Sequence, residues 1–128
     1  MLLDRKNMID EIEEKYEVAK NLFENGIFKH SKKIFIELVL EDPFRWEFWF
    51  AIGSIYEKEK NYTQAIISLN MAKILDAKNA EIYFQLAGNY LSANNKKKAF
   101  NMLDIAKSLS KDKNLLDKIQ ILKTQNNL

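Results

Sequence analysis

The sequence predicts an all-α protein in which similar helix pairs stack in one direction, as in an α-solenoid. Two observations predict this class. One pattern of small, aliphatic and aromatic residues occurs three times at a constant spacing of about 34 residues, and units of that length hold two helices. The 128 residues also include only three glycines and one proline, which is too few turn-forming residues for an all-β chain of this size.

The recurring pattern is clearest in the middle of the chain. Its middle copy is Trp49, Ile52, Gly53, Tyr56, Ala65, Leu69 and Ala72. A shift of one repeat length toward the C-terminus gives Tyr83, Leu86, Ala87, Tyr90, Ala99, Leu103 and Ala106. The same shift toward the N-terminus gives Lys15, Val18, Ala19, Leu22, Ser31, Phe35 and Leu38. Three copies in one register, without an insertion, define repeats at 12–45, 46–79 and 80–113.

These residues resemble the tetratricopeptide repeat, whose first helix carries W-x-x-L-G-x-x-Y. Pro43 falls where this repeat usually ends, whereas Ala77 and Lys111 replace that proline in the later copies, and Lys15 replaces a large apolar residue in the first. The resemblance implies a right-handed superhelical α-solenoid that forms a single domain over residues 1–128. A solenoid also needs a terminal cap over its open apolar end, which we expect at about 114–125.

Local signals predict seven helices, at roughly 4–24, 28–41, 44–59, 62–75, 79–93, 96–109 and 114–125. Asp42 and Pro43 suit a helix start with proline in the first turn, and Asn61, Asn79 and Asn114 are candidate N-caps. The last helix has an apolar face that would dock on the third repeat, formed by Leu115, Ile119 and Leu122.

Small residues at matching positions predict close contact between the two helices of each pair. A large side chain at any of them would overpack the contact. On the first helices they are Ala19, Gly53 and Ala87, and on the second helices they are Ser31, Ala65 and Ala99.

Composition and motifs argue against catalysis, metal binding, cofactor binding, nucleic-acid binding and membrane insertion. The chain has no cysteine and a formal charge of +2, and it has no Gly-rich phosphate loop and no apolar run of membrane length. His30 has no partners at catalytic spacing, the acidic residues of 10–17 suit a solvated face, and the basic run 96–98 is too short to predict nucleic-acid binding. The N-terminal segment has no apolar core like that of a secretion signal, so we expect a cytoplasmic protein.

A concave surface lined by the first helix of each pair is the predicted site of partner binding. The face at i, i+4 and i+7 gives Tyr16, Lys20 and Phe23 in the first repeat, Phe50, Ser54 and Glu57 in the second, and Phe84, Gly88 and Leu91 in the third. Tyr16, Phe50 and Phe84 occupy the same position in the three repeats, and two hypotheses fit them. They either offer apolar pockets to an extended peptide or pack against neighbouring helices.

Two further sets of residues invite interpretation. Glu13, Glu47 and Glu81 also share one repeat position, and we expect each in a first helical turn, where the helix dipole favours an anion. Phe44, Trp46 and Phe48 exceed what one helix pair can bury. They either lie on a partner or dimer surface or are covered by the first repeat.

A finer resemblance runs over roughly residues 18–110. It is carried by the segment Leu40-Glu41-Asp42-Pro43, the aromatic-rich helix with Trp49, Ile52, Gly53 and Ser54, then Asn61-Tyr62, Ala65-Ile66, Ala72, Leu75-Asp76, Glu81 to Leu91, Lys98-Ala99 and Leu103. Together they resemble the class II chaperones of bacterial type III secretion. The resemblance implies a cytoplasmic chaperone, with a dimer as one state, that binds an extended segment of a hydrophobic translocator subunit in its groove. A needle-subunit co-chaperone of the same system and a repeat-based protein–protein adaptor are the alternatives.

Overall fold

The computed structural model describes the backbone of residues 2–128 and the side chains of residues 4–128. Met1 and the side chains of Leu2 and Leu3, which belong to the segment examined for a secretion signal, lie outside this description. Within it the chain forms seven α-helices and no strand: α1 (Leu2–Glu24), α2 (Phe28–Glu41), α3 (Trp46–Lys58), α4 (Tyr62–Leu75), α5 (Ala80–Ser92), α6 (Lys96–Leu109) and α7 (Lys113–Gln125). Each predicted boundary lies within two residues of the observed one.

The helices pack in chain order. The pairs α1–α2, α3–α4 and α5–α6 make the most extensive contacts, and consecutive pairs meet through α2 with α3 and through α4 with α5. The seventh helix lies on α6. This arrangement is a helical solenoid of three pairs with a terminal helix, which confirms the predicted fold class.

The small residues lie where the paired helices touch. Ala19 and Ser31 are fully buried, and the Ser31 hydroxyl donates a hydrogen bond to the carbonyl oxygen of Ala19 over 2.8 Å. A Cβ atom added to Gly53 would lie 2.8 Å from Cγ of Leu69 and 3.2 Å from the carbonyl oxygen of Ala65. The predicted close contacts are therefore confirmed, and the contact at Gly53 leaves no room for a methyl group.

The core runs along the stack and ends under the seventh helix. Leu115 and Ile119 of α7 are buried against α5 and α6, and Leu122 packs half-buried beside them. This confirms the predicted docking face of the terminal helix, which covers the apolar end of the third pair.

Pro43 does not start the third helix, contrary to the prediction. Residues 43 and 44 form a turn, and α3 begins at Trp46 after the extended Arg45. The turn is stabilised by the Asp42 carboxylate, which accepts a hydrogen bond from the backbone N–H of Phe44. Proline suits this turn as well as it suits a first helical turn, so residue type alone did not separate the two.

The predicted helix caps are confirmed at two of three positions. The side chain of Asn61 accepts the N–H of Gln64, and the side chain of Asn79 accepts the N–H of Glu81. The prediction for Asn114 is wrong, since the Asp112 carboxylate caps α7 and Asn114 is the donor. A carboxylate is as good a cap as an amide, and it adds a favourable charge at the helix N-terminus.

Two glycines provide a matched test of the close helix contact. Gly53→Ala should lower the free energy of unfolding by about 1–3 kcal/mol, because the added methyl group meets Leu69 and the backbone of α4. Gly88 is also helical, but a Cβ there has nothing within 4 Å. Gly88→Ala should therefore leave stability unchanged or raise it by up to about 1 kcal/mol. Urea denaturation measures both, and equal effects would contradict the packing at Gly53.

Candidate functional site

An open pocket of about 290 Å³ lies where α1, α2 and α3 meet. Half of its ten lining residues are aromatic, and three are charged. The lining residues are Tyr16, Lys20, Phe23, Glu24, Phe35, Trp46, Glu47, Phe50, Ala51 and Ser54. Concave, apolar surfaces with a few polar groups are the usual form of a binding site.

The structure brings together five of the nine predicted groove residues. These five are Tyr16, Lys20, Phe23, Phe50 and Ser54, and Ser54 is almost completely buried. The other four are not among the described residues that line it: Glu57, Phe84, Gly88 and Leu91. Phe84 instead packs against the cluster formed by α5, α6 and α7. The predicted row of three aromatics therefore contributes two rings to the pocket.

The Tyr16 ring forms part of one wall of the pocket and packs on two other rings. It makes edge-to-face contacts with Phe48 and Phe35, at centroid distances of 5.2 Å and 6.0 Å. The Arg45 guanidinium lies 5.2 Å from the ring centroid and the Lys20 ammonium 4.3 Å from it. Burial raises the pKa of the Tyr16 hydroxyl. Tyr16 thus both packs against neighbouring helices and lines the pocket. For this residue, packing in the core and offering an apolar surface to a peptide do not exclude each other.

Arg45 fixes the start of α3 beside this wall. Its guanidinium forms ion pairs with Glu13 of α1 and, at 3.5 Å, with Glu47 of α3. Two members of the glutamate row are in first turns as predicted, Glu47 in α3 and Glu81 in α5. The expectation is wrong for Glu13, which lies in the middle of α1 and is positioned by Arg45 rather than by a helix end.

The three clustered aromatics have different fates. Phe48 is fully buried against Phe35 and Tyr16. Its place on a partner or dimer surface is therefore wrong, and the alternative, that the first repeat covers it, holds for this residue. An inner helix of a stack is covered by the preceding pair as well as by its own partner helix. Trp46 is half-buried, lines the pocket and packs edge-to-face on Phe50 at 5.8 Å. Phe44 is 79% exposed in the turn before α3.

A polar cluster that the sequence did not predict crosses from α3 to α5. The Glu57 carboxylate accepts a hydrogen bond of 2.7 Å from the Asn89 amide and one of 3.0 Å from the Gln85 amide. The Asn89 amide also donates to the carbonyl oxygen of Gln85. Asn89 is fully buried, and its Oδ1 atom has no donor among the described residues. The spacing of Gln85 and Asn89 on one face of α5 is the only sequence signal for this cluster.

Two further polar features bear on catalysis and metal binding. His30, which has no partners at catalytic spacing in the sequence, is exposed. Within residues 2–128, no group of three or more histidine, aspartate or glutamate residues could hold a metal ion. The described helices are all too short or too polar to cross a membrane.

Comparison with known proteins identifies structures of the same shape. No protein-family model and no curated protein matches the sequence. The Yersinia enterocolitica type III secretion chaperone SycD, in complex with a peptide of the translocator YopD, superposes with a TM-score of 0.82 at 22% identity, over 91% of this chain and 88% of that chain. The chain shares the fold of SycD.

Two further structures agree. SycD in an alternative dimer gives a TM-score of 0.84 at 22% identity, with 93% of this chain and 96% of that chain covered. PcrH in complex with the chaperone-binding region of PopD gives a TM-score of 0.76 at 22% identity, with 78% of this chain and 75% of that chain covered. At this level of identity the similarity establishes the solenoid fold.

The environment of Glu57 predicts a pH dependence of stability. Burial raises the pKa of its carboxyl above the ordinary 4.5, partly opposed by the hydrogen bond from Asn89 and by the charge of Lys58. Such a carboxyl holds its proton more tightly in the folded chain, so it favours folding at low pH and loses that contribution as the pH rises through the folded pKa. Relative to Glu57→Gln, the wild-type chain should therefore gain stability as the pH falls from neutral toward 4.5.

Urea denaturation at several pH values measures this difference. Glu14→Gln, at an exposed position on α1, is the control for the loss of one negative charge. A wild-type chain that loses stability relative to Glu57→Gln on acidification would contradict the burial of this carboxylate.

Proposed function

We propose that this protein is a cytoplasmic chaperone that holds an extended segment of a hydrophobic, translocator-type client of type III secretion. The observation that carries the proposal is the aromatic pocket between the first two helix pairs. Rings from three helices surround it, yet it stays open to solvent. An extended segment can insert apolar side chains into such a pocket while its backbone follows the concave surface.

The comparisons support the client class. SycD and PcrH share the fold, and their structures hold a peptide of YopD and the chaperone-binding region of PopD. A segment of a membrane-active protein exposes apolar side chains that aggregate in water. Covering those side chains in the pocket would keep the client soluble until export. In this role the protein binds and releases without catalysing a reaction, and a homodimer is one state we expect, since SycD forms dimers.

Coexpression with the translocator subunits encoded in the same genome tests the proposal. The protein should copurify with one of them and keep it in the soluble fraction. Copurification with a needle subunit instead would establish the co-chaperone alternative, and binding only to proteins unrelated to secretion would establish an adaptor.

Substitutions in the pocket test the site itself. Phe23→Ala together with Phe50→Ala should weaken client binding by about tenfold or more, because both aromatic side chains line the pocket and would supply contact area to the client. Phe44→Ala removes an equally large ring at an exposed position outside the pocket, and it should leave the affinity unchanged. Isothermal titration gives the affinities, and circular dichroism should show equal helicity in all variants. A loss of binding in Phe44→Ala alone would show that the client binds at the exposed turn of Phe44 and not in the pocket.

A further inference from the structure

The cluster of Glu57, Gln85 and Asn89 has more hydrogen-bond acceptors than donors. The carboxylate of Glu57 can only accept hydrogen bonds, and the amide groups of Gln85 and Asn89 use part of its capacity to accept them. The buried Oδ1 atom of Asn89 has no donor among the described residues. No lysine or arginine forms an ion pair with Glu57 within residues 4–128, and Lys58, the next residue of α3, acts on the carboxylate only through its charge. The cluster therefore holds a half-buried negative charge without a paired cation.

The position of this charge relates it to the pocket. Ser54 lines the pocket, and Glu57 follows three residues later on the same helix, about 4.5 Å further along the axis. The pocket's one lysine, Lys20, is already engaged by Glu17 at 2.8 Å. Glu24 adds a further carboxylate to the lining. A segment leaving the pocket toward α5 thus meets a carboxylate that no described lysine or arginine pairs.

We propose that Glu57 recognises a basic side chain of the client, a lysine or arginine placed shortly after the apolar side chain that fills the pocket. This inference rests on the proposed function and adds the chemistry of the segment that is bound. Burial has removed part of the water around the carboxylate, so a cation there forms a stronger hydrogen-bonded pair than on an open surface. The Gln85 and Asn89 amides orient the carboxylate before the client arrives, which reduces the ordering that binding must impose.

A selection from random linear peptides displayed on phage tests the inference with the full chain as target. On the wild-type protein, enriched peptides should carry an apolar residue and a lysine or arginine at a fixed spacing. On Glu57→Gln the apolar residue should remain and the basic preference should disappear. Glu14→Gln, which removes the same charge from an exposed site on α1, should select the same peptides as the wild type.

One enriched peptide and its analogue with the basic residue replaced by glutamine then measure how much the basic residue contributes to the binding affinity. The replacement should weaken binding to the wild-type chain by about tenfold and binding to Glu57→Gln by less than about twofold. Thermal denaturation checks that the variant folds, and glutamine keeps the size of the side chain and one acceptor for the amides.

The outcomes separate the two proposals. Apolar enrichment without a basic preference, or a basic preference that persists in Glu57→Gln, overturns the role of Glu57 and leaves the pocket as the client site. Failure to enrich any peptide, or enrichment unaffected by Phe50→Ala, overturns the proposed function and this inference with it.

Discussion

The close approach of the two helices within each pair determines the geometry on which everything else depends. At the centre of the stack, Gly53 lies so near to Leu69 and the backbone of Ala65 that even a methyl group would collide. Ala19 approaches Ser31 closely enough for a hydrogen bond to the helix backbone. Contacts this short fix the distance and tilt within each pair, and repeating them along the chain sets where successive first helices face one another.

The two junctions between helix pairs are built differently, so the concave surface is apolar at the first junction and polar at the second. At the first junction, aromatic side chains of α1 and α3 surround an open pocket. At the second, Glu57 stands at the position equivalent to Phe23, and it bonds across to Gln85 and Asn89 of α5. The same backbone arrangement thus presents an apolar site beside a polar one. A client that fits both would need an apolar side chain and a complementary polar one in register, which supplies specificity that a hydrophobic groove lacks.

Much of the fold could be predicted because its signals are local or strictly periodic. The constant repeat spacing indicated the helix pairs, and small residues at fixed positions indicated their contacts. The prediction at Pro43 was wrong because proline fits a turn and a helix start equally well. The hydrogen bond from the backbone N–H of Phe44 to the Asp42 carboxylate stabilises the turn. The position of Phe48 stayed open between a partner surface and the interior, because periodicity gives a helical face but does not say how many neighbouring helices cover it.

The site was less predictable because its geometry is neither local nor periodic. Which of the concave residues share a pocket depends on the rotation between successive pairs, and that rotation is not encoded at any single position. Tyr16 and Phe50 meet in one pocket, whereas Phe84 packs into the terminal cluster. The hydrogen bonds of Glu57 reach residues 28 and 32 positions away, so the spacing of Gln85 and Asn89 on α5 could not show that Glu57 is their partner.

Site-specific photocrosslinking of the complex tests most directly whether the concave surface captures the client. A photoreactive residue would replace Lys20 at the pocket in one sample and Ile74, which is 70% exposed on α4, in another. We predict crosslinks from position 20 to one short segment of the client and none from position 74. Crosslinks from position 74 alone would show that the client occupies another face of the stack and would contradict this account.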